Sequence, residues 1–226
     1  MTKFTFRDDI TWGIGGNGRT VSVMTENQAG FDAYRENLGY GMQAALWTLR
    51  DTIALLTAGG SPTVSFFADQ FFLTGETLSD ADRTAILAVL VKTLTGMTNQ
   101  GFTLKVGGGE EGVAGWVRPR NLPANPNKIY SNAVASMNEP NTPLRRSAIH
   151  LSDANARAGI EYVRHTMVHE ATHKYAGTID YCYFGRNFPW EPQTAFDDKE
   201  KAMMNADSFA LFSNLRALAV SRNKPI

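Results

Sequence analysis

A single cysteine, Cys182, in a chain of 226 residues excludes an intramolecular disulfide, so packing holds the fold, with a metal ion as the one available staple. That usage fits synthesis in a reducing compartment. An excess of either charge is missing too: Lys plus Arg and Asp plus Glu both number 22, and no stretch gathers enough Lys and Arg to follow a phosphate backbone. Nucleic acid is therefore not an expected partner. No segment approaches the roughly 20 apolar residues of a membrane span, and the opening MTKFTFRDDITWG lacks the apolar run of a secretory signal. The expectation is a soluble chain made in the cytoplasm, with no membrane partner, exported if at all by a dedicated secretion system.

What is present is an ordinary globular composition, 43% hydrophobic and 11% aromatic, at a length that suits one compact domain. Residues 1–30 hold two β-prone pieces, FTF and TVSVMT, and are expected as a β-rich extension packed on a domain of residues 31–226. Gly13, Gly15 and Gly18 fit G-x-G-x-x-G, but a strand-like RTVSVMT follows where a helix is needed, which rejects dinucleotide binding. Helical spacing of Met42, Leu46, Leu49, Ile53 and Leu56 predicts a helix over 31–56, and a second is predicted over 79–97, capped by Ser79 or Asp80. Phe102 to Val106 and Ala148 to Leu151 read as short strands. The Gly-, Pro- and Asn-rich stretch between them reads as a long loop and a candidate substrate-binding rim. One helix is expected from Ser152 or Asp153 to Tyr175, ending at Gly177, and a last one over 199–220.

The chemistry concentrates at His169-Glu170-Ala171-Thr172-His173, an H-E-x-x-H pattern inside the third predicted helix. Residues four apart on a helix stack on one face, so two imidazoles can aim at one tetrahedral zinc while the glutamate projects beside them towards a water. Ile160, Val163, Met167 and Ala171 fall broadly on the opposite face and are expected to pack inward. The extended metzincin pattern fails, because Ala176 and Ile179 stand where a glycine and a third histidine belong. A third ligand is then sought among Glu191, Glu200 and the nearer Asp180, which follows the turn at Gly177.

Three pieces together resemble the aspzincin metalloendopeptidases, the family of deuterolysin and the peptidyl-Lys metalloendopeptidases. They are the H-E-x-x-H residues, the segment Gly177-Thr178-Ile179-Asp180 with Tyr183 three positions on, and Asn205-Ala206-Asp207-Ser208-Phe209. The resemblance covers roughly residues 160–215 and implies an α+β, mostly helical zincin-like single domain with a small β-sheet. It implies one catalytic zinc on His169, His173 and Asp180, with Glu170 as general base and Tyr183 assisting the oxyanion. Asp207 would line the pocket for the residue after the scissile bond, where a carboxylate suits lysine. Lysine-specific members carry a further acidic residue three positions later, where Ala210 stands.

The expected activity is zinc-dependent endopeptidase action on protein or peptide substrates, with a bacterial secreted effector or toxin as one setting and an inhibitor or immunity protein as a further partner. A monomer is favoured. The competing reading is a catalytically silent, zinc-containing protein-binding module derived from a peptidase. His165, one turn before His169, reads as a surface residue or an indirect partner of the site, His150 as structural, and Cys182 as a small buried residue.

Overall fold

The computed structural model describes residues 5–12, 19–99, 102–108, 114–117, 148–181, 183–184, 196 and 198–221. Five strands form one mixed sheet: β1 (Thr5–Trp12), β2 (Arg19–Thr25), β3 (Thr103–Val106), β4 (Gly115–Val117) and β5 (Ile149–Leu151). Their spatial order is β1-β2-β3-β5-β4. The pairs β2–β3 and β3–β5 run parallel, and antiparallel strands flank them on both sides. The strands expected in residues 1–30 thus continue the same sheet, with Ser22 opposite Thr103. Along β2 the period-two pattern is visible in burial: Val21, Val23 and Thr25 are covered while Ser22 faces outward. β4 lies within the stretch predicted as an uninterrupted loop, and most of that loop, the proposed rim included, falls outside the described residues.

The helices are α1 (Arg35–Thr57), α2 (Pro62–Phe72), α3 (Asp80–Asn99), α4 (Asp153–Ala158), α5 (Ile160–Ala171), α6 (Lys199–Met204), α7 (Ala206–Phe212) and α8 (Leu215–Ser221). A mixed α+β architecture, mostly helical with a small sheet, is what the sequence led us to expect. α1 buries Leu38, Met42, Ala45, Leu46, Leu49 and Leu56, and of the predicted stripe only Ile53 is left partly covered. Ser79 is the cap of α3, its hydroxyl accepting from the Asp82 N–H at 3.1 Å. α2 was not anticipated. Ser61 caps it from the preceding position and Pro62 opens its sequence PTVSFFADQFF, whose buried residues Thr63, Val64, Phe67, Ala68, Phe71 and Phe72 form one face.

Two expected helices are broken. The helix expected from Ser152 or Asp153 is interrupted at Gly159, whose φ of 124° no L-residue adopts comfortably, so α5 starts afresh there. Ile160, expected inside, is 40% exposed as a result, whereas Val163, Met167 and Ala171 are fully buried. The expected final helix becomes α6, α7 and α8, interrupted first at Asn205, whose backbone is extended, and then at Ser213 and Asn214.

α5 is clamped between neighbours. A Cβ added at Gly41 of α1 would lie 2.5 Å from Val163. On the other side, one at Gly96 of α3 would lie 2.2 Å from the Tyr175 ring. Both contacts allow only a hydrogen, so α1 and α3 fix the height and rotation of the segment that carries the histidines. Past α5 the backbone forms a π-helical turn, Thr172–Ala176, closed by Gly177 at φ 77°.

Candidate metal centre

α5 and its π turn set His165, His169 and His173 on one face, three of the chain's four histidines. His169 and His173 are 5% and 3% exposed, and their Nε2 atoms lie 3.1 Å apart. Asp180 Oδ1 sits 3.0 Å from each of them. Asp180 owes its place to a short bridge between the segment after the π turn and the break between α6 and α7. Ile179 donates its N–H to the Met204 carbonyl at 2.9 Å and accepts from the Ala206 N–H at 3.1 Å. The Asn205 side chain completes the bridge, accepting from the Tyr181 N–H at 3.0 Å and reaching Ser208 Oγ at 3.1 Å.

The hydrogen bonds fix the tautomers of both rings. His173 Nδ1 donates to the Thr178 carbonyl at 2.7 Å, since a carbonyl can only accept. His169 Nδ1 donates to Asp207 Oδ1 at 3.2 Å. In the neutral form each ring therefore turns a bare Nε2 lone pair towards the other and towards a carboxylate oxygen, a clash that a proton on His169 or a metal ion relieves. Three electron-rich atoms so close repel one another unless a cation lies between them. Donors on one tetrahedral zinc, with bonds of about 2.0–2.2 Å, lie about 3.3 Å apart, so edges of 3.0, 3.0 and 3.1 Å fit the ion with small adjustment. Among the described residues, His169, His173 and Asp180 are one of two groups whose donor atoms converge in this way.

Electrostatics point the same way. Burial lowers the proton affinity of His169, but hydrogen bonds to Asp180 and Asp207 and the nearby Glu170 outweigh it and push its pKa up to about 10. Burial raises Asp180, and its hydrogen bonds to His169 and His173 overcome this and hold it well below the usual carboxylate range. The locus is thus arranged to hold positive charge.

Glu170 is 3% exposed, with one carboxylate oxygen 4.0 Å from His169 Nε2, beside the triangle and not part of it. β4 passes over it: a Cβ at Gly115 would lie 3.3 Å from Glu170 Cγ and 2.5 Å from Thr166. Tyr183 lays its ring parallel to His169, centroids 5.7 Å apart and 15° between planes, and is 69% exposed. Burial of its hydroxyl end, then the Asp180 charge and a hydrogen bond to Asp180, raise the phenol above the ordinary tyrosine range. The next residue, Phe184, packs edge-to-face on Phe71 of α2 at 5.3 Å. Phe72 in turn meets Phe209 and Phe212 of α7 at 4.8 and 5.1 Å. This aromatic cluster, each pair adding roughly 0.5–1.5 kcal/mol, holds the Tyr183–Phe184 segment and the Asp207 helix to the same wall.

Asp207 is 2% exposed, and burial raises it less than hydrogen bonds to His165 and His169 lower it. Oδ1 receives His165 Nε2 at 2.7 Å besides His169, and Oδ2 receives the Phe184 N–H at 2.7 Å. His169, Glu170, His173, Asp180, Tyr183 and Asp207, all singled out in the sequence, therefore meet at one place. Glu200 is exposed on α6, and Glu191 and Cys182 lie outside the described residues. The sequence did not reveal the Thr178 carbonyl or the Asn205 bridge. Only the poor helix propensity of Asn205 hinted at the latter. His150 stacks on Trp116 at 4.5 Å, in keeping with a structural role.

The architecture is a small mixed sheet packed with helices, an α+β fold. The solved structure of a zinc peptidase from Grifola frondosa aligns with a TM-score of 0.56 and 17% identity, over 81% of this chain and 95% of that one. At that identity the likeness establishes the fold. No protein-family model matches the chain, and no curated protein does.

Proposed function

We propose that the protein is a zinc-dependent endopeptidase of aspzincin type, with zinc on His169, His173 and Asp180. One observation carries the reading: the near-equilateral set of three donor atoms with the Glu170 carboxylate alongside but outside it. Two neutral imidazoles and one carboxylate make a catalytic donor set, short of the fourth protein ligand typical of structural zinc. When bound, zinc supplies a Lewis acid and a water acidified towards neutrality. Glu170, held in a water-poor pocket, takes the proton of the attacking water and returns it to the departing amine. The Tyr183 phenol, kept protonated, donates to the oxygen that gains charge as the peptide carbonyl becomes tetrahedral. His173 and His169 are kept in the required tautomer by Thr178 and Asp207.

The substrate class is protein or peptide. A lysine preference, action as a secreted effector and an inhibitor partner follow from the family resemblance alone; an Asp207 already engaged by His165, His169 and the Phe184 N–H argues against the first, and cleavage-site mapping decides it. The deciding experiment combines metal analysis with digestion of unfolded casein. Wild type should carry one zinc per chain and lose activity to chelator, regaining it with zinc. Glu170→Ala should keep the zinc and lose about 10²–10⁴-fold in kcat. A metal-loaded wild type with no hydrolysis of any peptide would leave the non-catalytic binding module standing instead.

A further inference from the structure

Asp207 Oδ1 is shared by two imidazoles, His165 at 2.7 Å and His169 at 3.2 Å, while Oδ2 is taken by the Phe184 N–H. A carboxylate has about four lone-pair sites, and with its side chain 3% exposed this one offers solvent almost nothing further. His165 is the outer member of the pair, its side chain 29% exposed. Its ring lies 6.3 Å from that of His169, one helical turn along the same face. The spacing between α5 and α7 that brings His165 to Asp207 is set next door, where Arg164 donates to the Ala210 carbonyl at 3.3 Å and to Glu161 at 2.9 Å.

We propose that His165 is a positioning residue for the metal ligand His169, acting through Asp207, and that by occupying Oδ1 it withholds this carboxylate from a cationic substrate side chain. The proposal rests on the metal assignment above. Two constraints act on Asp207 at once. The bond from His169 Nδ1 fixes which ring nitrogen meets the ion, and the bond from His165 stops the carboxylate from turning away from His169. A carboxylate engaged in this way offers a lysine ammonium no free oxygen to bind, so the site discriminates substrates by shape and by the His165 edge. The same three groups also converge closely enough to suggest a second ion. The 2.7 Å between His165 and Asp207 is a hydrogen-bond length, shorter than the about 3.3 Å between donors on one tetrahedral metal.

The test uses the full chain as wild type, His165→Phe, His165→Gln, His165→Ala and Asp207→Asn. Zinc affinity is read by competition with a chromophoric chelator, and ligand geometry from the visible absorption of the cobalt-substituted protein. Circular dichroism of the metal-free forms controls for folding. Asp207→Asn and His165→Phe should weaken zinc about 10- to 100-fold and shift the cobalt bands. His165→Gln, which keeps an N–H donor, should recover to within about threefold of wild type. Unchanged affinity in a folded His165→Phe protein, an equal loss in His165→Gln, or two zinc ions per wild-type chain would overturn the proposal. In a peptide library, wild type should show no lysine preference after the scissile bond, and His165→Ala should raise the lysine-to-leucine ratio of kcat/KM. A wild-type lysine preference removed by Asp207→Asn would also overturn it. Affinity is read without turnover, so an inactive wild type removes the peptidase reading and still leaves this proposal decided by the zinc measurements.

Discussion

The proposed metal centre has two arms built on different principles. One is a continuous helical segment that carries His165, His169, Glu170 and His173 in order, clamped where Gly41 and Gly96 admit no side chain. The other gathers Asp180, Tyr183 and Asp207 from separate short pieces tied by the Ile179–Asn205 bridge and the aromatic cluster around Phe72. In the helical arm, local periodicity places the donors. In the tied arm, a few long-range hydrogen bonds do so, and its geometry fails first when one of them is lost.

Removing a donor from the tied arm should have the largest effect. Asp180→Ala should weaken zinc by about two orders of magnitude or more, roughly 3 kcal/mol as one share of a site's binding energy, with equilibrium dialysis as the measurement. Unchanged zinc content would place the third ligand elsewhere. Cutting the tie itself comes next. Asn205→Ala leaves the Tyr181 N–H and Ser208 without their buried partner and should cost about 1–3 kcal/mol in denaturant unfolding. It should also loosen zinc binding, although the Asn205 hydrogen bonds run to Tyr181 and Ser208. If stability falls and zinc affinity stays, the bridge does not position Asp180.

The smallest effect belongs to the joint between the arms. Lys174, 5% exposed in the π turn with its ammonium over the Tyr175 ring at 5.6 Å, has its pKa lowered by burial to about 8. The unfolded chain keeps that proton to about pH 10.4. Between these values the unfolded state binds more protons, so this group makes stability rise with pH across that window. Lys174→Met should stabilise the fold at pH 7 by about 1 kcal/mol, with the advantage fading as pH climbs from 8 towards 10.5. Thermal melts of both proteins across that range measure it, and a constant difference would show that the ammonium is not strained.

The same contrast explains what was legible in the sequence. The helical arm could be read directly: the i, i+4 histidines, the glutamate between them and Gly177 at the end are local signals. Asp180, Tyr183 and Asp207 could be named only through resemblance, because nothing in their own neighbourhoods dictates a shared destination. The break at Asn205 is invisible to periodicity, since its cause is a partner on another segment, Ile179. α2 did carry a local signal: Thr63, Val64, Phe67, Ala68, Phe71 and Phe72 recur at helical spacing behind the Ser61 cap, and that short periodicity went unread. β4 carried none: a three-residue edge strand has no period to detect. His165 gave the right spacing, but only the position of Asp207 in space told a second-layer partner from a surface histidine.

The strand order has a consequence for how the protein is made. β2 waits for β3, and β3 for β5, across long intervening stretches, so the middle of the sheet closes only after most of the chain has left the ribosome. Asp207 emerges later still. A nascent chain therefore displays His169, His173 and Asp180 before it owns the Asp207 that orients the first of them, and on the proposed reading a fully oriented zinc site forms among the last events of maturation.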